Sequence, residues 1–227
     1  MSRRGVPVGG FAPLSTIDWP GMLSTVLFLR GCPWRCPYCH NPELQLVAGQ
    51  THAWRDVLAF LEERRGFLDG VVFSGGEPTM HAGLEDALGQ VRSMGFKTAL
   101  HTGGAYPAQL EKILSGRLVD WVGFDVKAPF DDYPTVTAQA DSGARARLSL
   151  AHLVSSGISY ELRTTVYPPL LSGRSINHLA SEIDELGGGN LVLQHCRDGD
   201  SQPFAHSLDL ARLAADLTPR LGKVEVR

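Results

Sequence analysis

The 227-residue sequence predicts an α/β fold, a partial (β/α)6 barrel around a parallel sheet, on the strength of three observations. Short apolar runs alternate with helical periodicities down the chain, as in βαβ units. No composition break, internal repeat or low-complexity tract interrupts that alternation. The glycine-rich, polar and ionisable residues fall at or just after the ends of the strand-like runs, and in a barrel of parallel strands those ends share one rim. The organisation is read as one domain over 1–227: an N-terminal extension at 1–22, six strand–helix units at 23–196, and a C-terminal helix and strand at 197–227.

Each element has its own signal. Strands are predicted at Ser24–Leu29, Gly70–Ser74, Lys97–Thr102, Trp121–Lys127, Tyr160–Val166 and Asn190–His195, runs rich in Val, Leu and Phe that suit burial on both faces. Trp54, Val57, Leu58 and Leu61 follow the i, i+3, i+4, i+7 stripe of an amphipathic helix, with Thr51 as its cap. Leu84, Leu88 and Val91 repeat the pattern, and Gly95 is placed to stop that helix. Further helices are predicted at Ala108–Leu114, Arg145–Ser155, Asn177–Leu186 and Ser207–Leu217. Gly187-Gly188-Gly189 reads as a helix exit, and 128–143, with its prolines and acidic residues, reads as a long loop, either a lid or a plain connection.

Bulk composition excludes several classes. Hydrophobic residues at 43% and charged residues at 20% are those of an ordinary globular protein. A net charge of -3 points to neither nucleic acid nor an anionic membrane as partner. Arg3 and Arg4 form only a short basic start, no run is long enough to cross a bilayer, and no hydrophobic signal core is present, so a cytoplasmic location is expected. His52, His81, His178 and His206 sit in helical or loop settings and read as surface residues.

The chemistry concentrates on the rim. Cys32, Cys36 and Cys39 stand in C-x3-C-x2-C spacing directly after the first strand. Thiols so close pair poorly as disulfides, and a reducing compartment keeps them as metal ligands. Three is one short of the closed tetrahedral shell of a structural zinc. It suits a four-iron, four-sulfur cluster with one iron left open to another molecule. Cys196 lies far down the chain on an apolar run, either a small buried hydrophobe or a fourth ligand. Ser74-Gly75-Gly76-Glu77-Pro78 closes the second strand as a close-approach site or a plain turn. Asp125 and Lys127, two apart on a strand, share a face and form either a site pair or a structural ion pair. Arg163 is a charged residue in an otherwise apolar strand, and His195 closes the last strand as a ligand contact or a hydrogen-bonded core residue.

The cysteine spacing with Tyr38 before the last cysteine, followed by a strand ending in Gly75-Gly76-Glu77-Pro78, resembles the radical S-adenosylmethionine superfamily and its TIM-like partial barrel. Phe11 to Gly21, His40-Asn41-Pro42-Glu43-Leu44 and Asp125-Val126-Lys127-Ala128-Pro129 are similar to the glycyl-radical-enzyme activating proteins. Within that group the chain resembles the activators of anaerobic ribonucleoside-triphosphate reductase in their longer form. The resemblance implies that Cys32, Cys36 and Cys39 hold one [4Fe-4S] cluster whose open iron is chelated by S-adenosyl-L-methionine. It implies reductive cleavage to a 5'-deoxyadenosyl radical, which takes hydrogen from a glycine of a partner glycyl radical enzyme. By the same resemblance Ser74, Gly75, Gly76 and Glu77 approach the methionine amino group, Thr102 and Lys127 face the cofactor, and Arg163 faces the methionine carboxylate. Tyr38 is placed at the adenine, or as a packed aromatic, and His195 at the adenine or ribose. Asp125 would hold a monovalent cation, but His101 stands where relatives carry an aspartate, which leaves that cation one ligand short. No cysteine occurs between Asn41 and Asp69, so one cluster is expected, with electrons from a separate flavodoxin or ferredoxin.

Two rivals stand beside this reading. One is a radical enzyme acting on a small molecule, of the deazaguanine-forming kind, although that branch continues its third cysteine with an acidic residue rather than His40-Asn41-Pro42. The other is a non-catalytic zinc module using Cys196 or His40 as fourth ligand.

Overall fold

The computed structural model describes residues 5–197 and 208–227, whose strands form one eight-stranded sheet in sequential order. Arg3, Arg4, His206 and the start predicted for the last helix at Ser207 lie outside the described residues. Strand β1 (Val8–Ser15) runs antiparallel to β2 (Ser24–Leu29). From β2 the sheet is parallel through β3 (Gly70–Gly75), β4 (Lys97–Thr102), β5 (Trp121–Asp125), β6 (Ser159–Val166), β7 (Leu191–His195) and β8 (Val224–Val226). The outer strands β1 and β8 do not pair with each other, so the barrel is partial.

All six predicted strands are present. β1 falls inside the segment read only as an N-terminal extension. Its Val-Gly-Gly-Phe-Ala-Pro-Leu-Ser sequence carries the glycines and proline that weaken a strand signal, and an edge strand tolerates them.

Helices α1 (Trp54–Glu62), α2 (Leu84–Ser93) and α3 (Pro107–Ser115) follow β2, β3 and β4. Ala53, not Thr51, precedes α1, and no side chain caps it. The stretch read as a long loop is folded: a 3-10 turn at Phe130–Asp132 leads into the short helix α4 (Tyr133–Thr137), and α5 (Ser142–Ser155) begins earlier than predicted. Tyr133 is wholly buried, and its ring lies 5.9 Å from that of Trp34. That aromatic anchor orders a segment whose prolines and acidic residues read as a long loop. Helices α6 (Gly173–Glu185) and α7 (Leu210–Leu221) complete the outer layer. No helix among the described residues is long and apolar enough to cross a membrane.

Strand alternation divides the apolar residues into two cores. Leu27, Leu29, Val71, Phe73, Leu100, Val122, Phe124 and Leu162 point outward and pack under the helices. Val26, Val72, Ala99 and Trp121 point inward, where they meet Trp19 and plug the barrel floor. Everything above that plug on the inner face is available for polar chemistry.

Candidate active site

The inward faces and the loops after the strands enclose a pocket of about 200 Å³. Cys32, Cys36, Cys39 and Tyr38 line it from the loop after β2. Ser74 and Gly75 line it from β3, Gly76 and Glu77 from its exit, and Thr102 from β4. Asp125 lines it from the end of β5, Lys127 from two residues beyond that strand, which stops short of the predicted Lys127, and Arg163 from β6. Twelve predicted site residues, scattered over more than a hundred positions, therefore converge. His195 is not among the lining residues; its neighbour Gln194 is, in line with Thr165, its register partner on β6. His101 and Trp34 line it as well.

Local contacts explain how the cysteine loop is held. Gly31 N–H donates to Leu44 C=O (2.7 Å) and Cys32 N–H to Gln45 C=O (3.1 Å), so the loop doubles back on itself. Arg35 N–H donates to Thr137 C=O at 2.9 Å, which fastens the loop to α4. Glu77 N–H donates to Gly31 C=O at 2.8 Å, which fastens it to the exit of β3. The glycines of that exit serve the protein's own backbone first. Gly75 has φ +113°, and a Cβ there would lie 2.2 Å from Leu29 N. The half-buried His81, expected at the surface, also braces this region, its Nε2 lying 2.8 Å from Arg30 C=O.

Glu77 is a strut rather than a free carboxylate. It is 2% exposed. Its Oε1 accepts from Thr79 N–H (3.1 Å), Thr79 Oγ1 (2.6 Å) and Thr102 Oγ1 (2.6 Å), and its Oε2 from Gly103 N–H (2.9 Å). Burial pushes its carboxyl above the usual range against the pull of those four donors. Thr102, expected to face the cofactor, spends its hydroxyl on tying the exits of β3 and β4 together. Glu77→Gln turns one acceptor into a donor facing a donor, and is expected to cost about 2 kcal/mol, read from the urea midpoint.

Lys127 Nζ lies 3.3 Å from Asp125 Oδ2 and 5.9 Å from the centre of the Trp34 ring. Burial alone would lower the ammonium; Asp125, then Cys36 and the Tyr38 and Tyr133 phenols, hold it well above its ordinary value. The pair is thus an ion pair within the pocket lining. Burial, reinforced by the Glu77 carboxylate, pushes the Cys32 thiol up to about 12, and burial also raises Cys36. Among the described residues no hydrogen-bond partner meets the buried Tyr38 Oη, although its ring packs 5.4 Å from that of Tyr167. Arg163 reaches the pocket wall with its guanidinium already engaged by Glu161 (2.9 Å) and by Asp18 C=O (3.1 Å).

Cys196 is 1% exposed and is not one of the pocket-lining residues. Thr165 and Gln194 escaped sequence reading, although counting two on from Arg163 along an inward-facing strand would have found Thr165.

Comparison with known proteins agrees with this arrangement. Residues 26–186 match the Radical SAM superfamily. A Methanocaldococcus jannaschii protein assigned as a glycyl-radical enzyme activating enzyme is 30% identical over 186 residues, covering 78% of this chain and 75% of its own. The pyruvate formate-lyase-activating enzyme of Clostridium pasteurianum is 30% identical over 181 residues, covering 76% of this chain and 74% of its own. In fold, a radical SAM methyltransferase from Sphaerobacter thermophilus superposes with a TM-score of 0.72 over 94% of this chain and 68% of its own, at 15% identity.

Proposed function

The chain belongs to the radical SAM superfamily, and from that premise we propose that it activates a glycyl radical enzyme by taking hydrogen from a backbone glycine of that partner. The superfamily uses a [4Fe-4S] cluster and S-adenosylmethionine, and the pocket fits both. Three thiols share it. Three cysteines leave one iron of a four-iron cluster open, whereas a structural zinc takes four protein ligands. The buried, unpartnered Tyr38 hydroxyl is a donor waiting for an acceptor brought in from outside.

When bound, the two groups supply one-electron cleavage of the sulfonium carbon–sulfur bond and with it the power to abstract hydrogen. The protein's residues do the holding. Cys32, Cys36 and Cys39 would hold the cluster as thiolates, since coordination deprotonates a thiol, even at Cys32 and Cys36, where burial raises the pKa. Gly75 and Gly76 bring the β3 exit against the cysteine loop, Glu77 locks it to β4, and Lys127 sets a permanent positive charge between Asp125 and Trp34.

The observation that carries the reading is the meeting of the three thiols with the Gly75-Gly76-Glu77 exit in one pocket, in a chain 30% identical to two activating enzymes over three quarters of its length. The partner proposed is anaerobic ribonucleoside-triphosphate reductase, from the resemblance to the longer form of its activators, with a flavodoxin or ferredoxin as electron donor. Anaerobic reconstitution tests it. Iron and sulfide in equal numbers, cleavage of S-adenosylmethionine under dithionite, and a glycyl radical signal on the added reductase are expected. Cleavage without that signal overturns the partner, and an inert protein holding one zinc overturns the whole reading.

A further inference from the structure

A line of charged and polar side chains runs from the exposed Arg227, through the buried Glu161 and Arg163, to the pocket wall. Arg163 Nε donates to Glu161 Oε1 at 2.9 Å, its Nη2 to Asp18 C=O at 3.1 Å, and its Nη1 lies 3.2 Å from His101 Nε2. His101 Nδ1 in turn stands 3.3 Å from Ser74 Oγ. On the far side Arg227 grips Glu161 with both arms, Nη1 to Oε1 at 3.0 Å and Nη2 to Oε2 at 2.8 Å. The order is Arg227, Glu161, Arg163, His101, Ser74. The last three line the pocket and the first two do not.

Stability does not explain this line. One layer lower the barrel interior is filled by Val26, Val72, Ala99 and Trp121. A well-packed apolar layer is generally as stable as a buried ion pair or more so. What the ions provide is direction. Glu161 and Asp18 hold Arg163 from two sides, and Trp121 lies under its guanidinium at 5.1 Å. Gly123 leaves the space: a Cβ there would come within 2.9 Å of His101 and 3.0 Å of Arg163. Arg227 matters because it occupies both oxygens of Glu161. Relieved of part of its charge, Glu161 orients Arg163 without drawing it down from the pocket wall.

We propose that Arg227 and Glu161 are positioning residues that set Arg163, and through it His101 and Ser74, against S-adenosylmethionine. The proposal rests on the reading that this pocket binds that cofactor. The test uses the reconstituted enzyme and compares wild type, Arg227→Met, Arg227→Lys, Arg163→Met and the Arg227→Met/Arg163→Met double variant. Arg227→Met is expected to raise both the KM and the equilibrium Kd for S-adenosylmethionine about tenfold, with kcat changed less than about twofold. Arg227→Lys, which keeps the charge but not the fork, is expected to lie between. In the Arg163→Met background the same change at 227 should add nothing to Kd. An Arg227→Met protein with wild-type Kd and only a lowered urea midpoint overturns the proposal, as does a full tenfold loss in the Arg163→Met background. A wild-type protein that binds no S-adenosylmethionine at all overturns the functional reading instead.

Discussion

Alanine at position 76 is expected to leave the protein unable to hold its iron. A Cβ on Gly76 would sit 2.2 Å from the Gly31 carbonyl oxygen and 3.1 Å from that of Leu44. Both obstacles are backbone, so no side chain can swing aside. Gly31 is itself pinned, accepting from Glu77 N–H at 2.8 Å and donating to Leu44 C=O at 2.7 Å. The cysteine loop has to move outward, and Cys32, next to Gly31, moves with it. Overpacking of this kind costs about 1–3 kcal/mol. The functional loss is larger, because three sulfur donors must keep their mutual placement to bind one cluster. Iron content after reconstitution should fall below half of wild type and the urea midpoint should drop. Gly89→Ala is the matched control: Gly89 lies within α2 with nothing inside 4 Å of its Cβ position, so alanine there should raise stability by about 0.5–1 kcal/mol. A Gly76→Ala protein with full iron and unchanged stability would refute this account of the loop.

Much of this was legible in the sequence because the signals are local. Val71, Val72 and Phe73 announce a buried strand whatever surrounds them, and three cysteines in eight residues announce a metal loop. What escaped depends on partners far along the chain. β1 becomes a strand by pairing with β2, and nothing in its own glycines and proline says so. The 128–143 stretch is ordered by Tyr133 packing on Trp34, a contact about a hundred residues apart in sequence. At the site, residue types were readable but roles were not. Glu77 and Arg163 look like cofactor ligands when taken singly. Their hydrogen bonds to Gly103, Thr102, Glu161 and Asp18 show that much of their capacity goes to holding the pocket in shape. At the end of β7, Gln194 lines the pocket and His195, one position on, does not, as the strand's alternation dictates.

His101 is expected to make the fold sensitive to mild acid. Its ring lies inside the barrel with Nε2 2.9 Å from Asp18 C=O and 3.2 Å from Arg163 Nη1, and Nδ1 3.3 Å from Ser74 Oγ. Trp121 packs against it edge-on at 5.8 Å. Burial, then the Arg163 guanidinium, depress its pKa to about 4; Asp18 and Asp125 act the other way without prevailing. An unfolded histidine takes up its proton near 6.5, so between those values the unfolded chain binds more protons than the folded one. The stabilisation is therefore complete above the unfolded value and is lost as pH falls toward the folded one, about 3 kcal/mol in all and about 2 kcal/mol between pH 7 and 5. Carboxylates titrate in part of the same range, so the measurement is a difference: urea unfolding of the iron-free chain at pH 7 and pH 5, for wild type and His101→Asn. The wild type should lose about 2 kcal/mol more than the variant over that interval. Equal losses would mean that the ring accepts its proton in place, and that Arg163 does not stand where it would forbid a second positive charge.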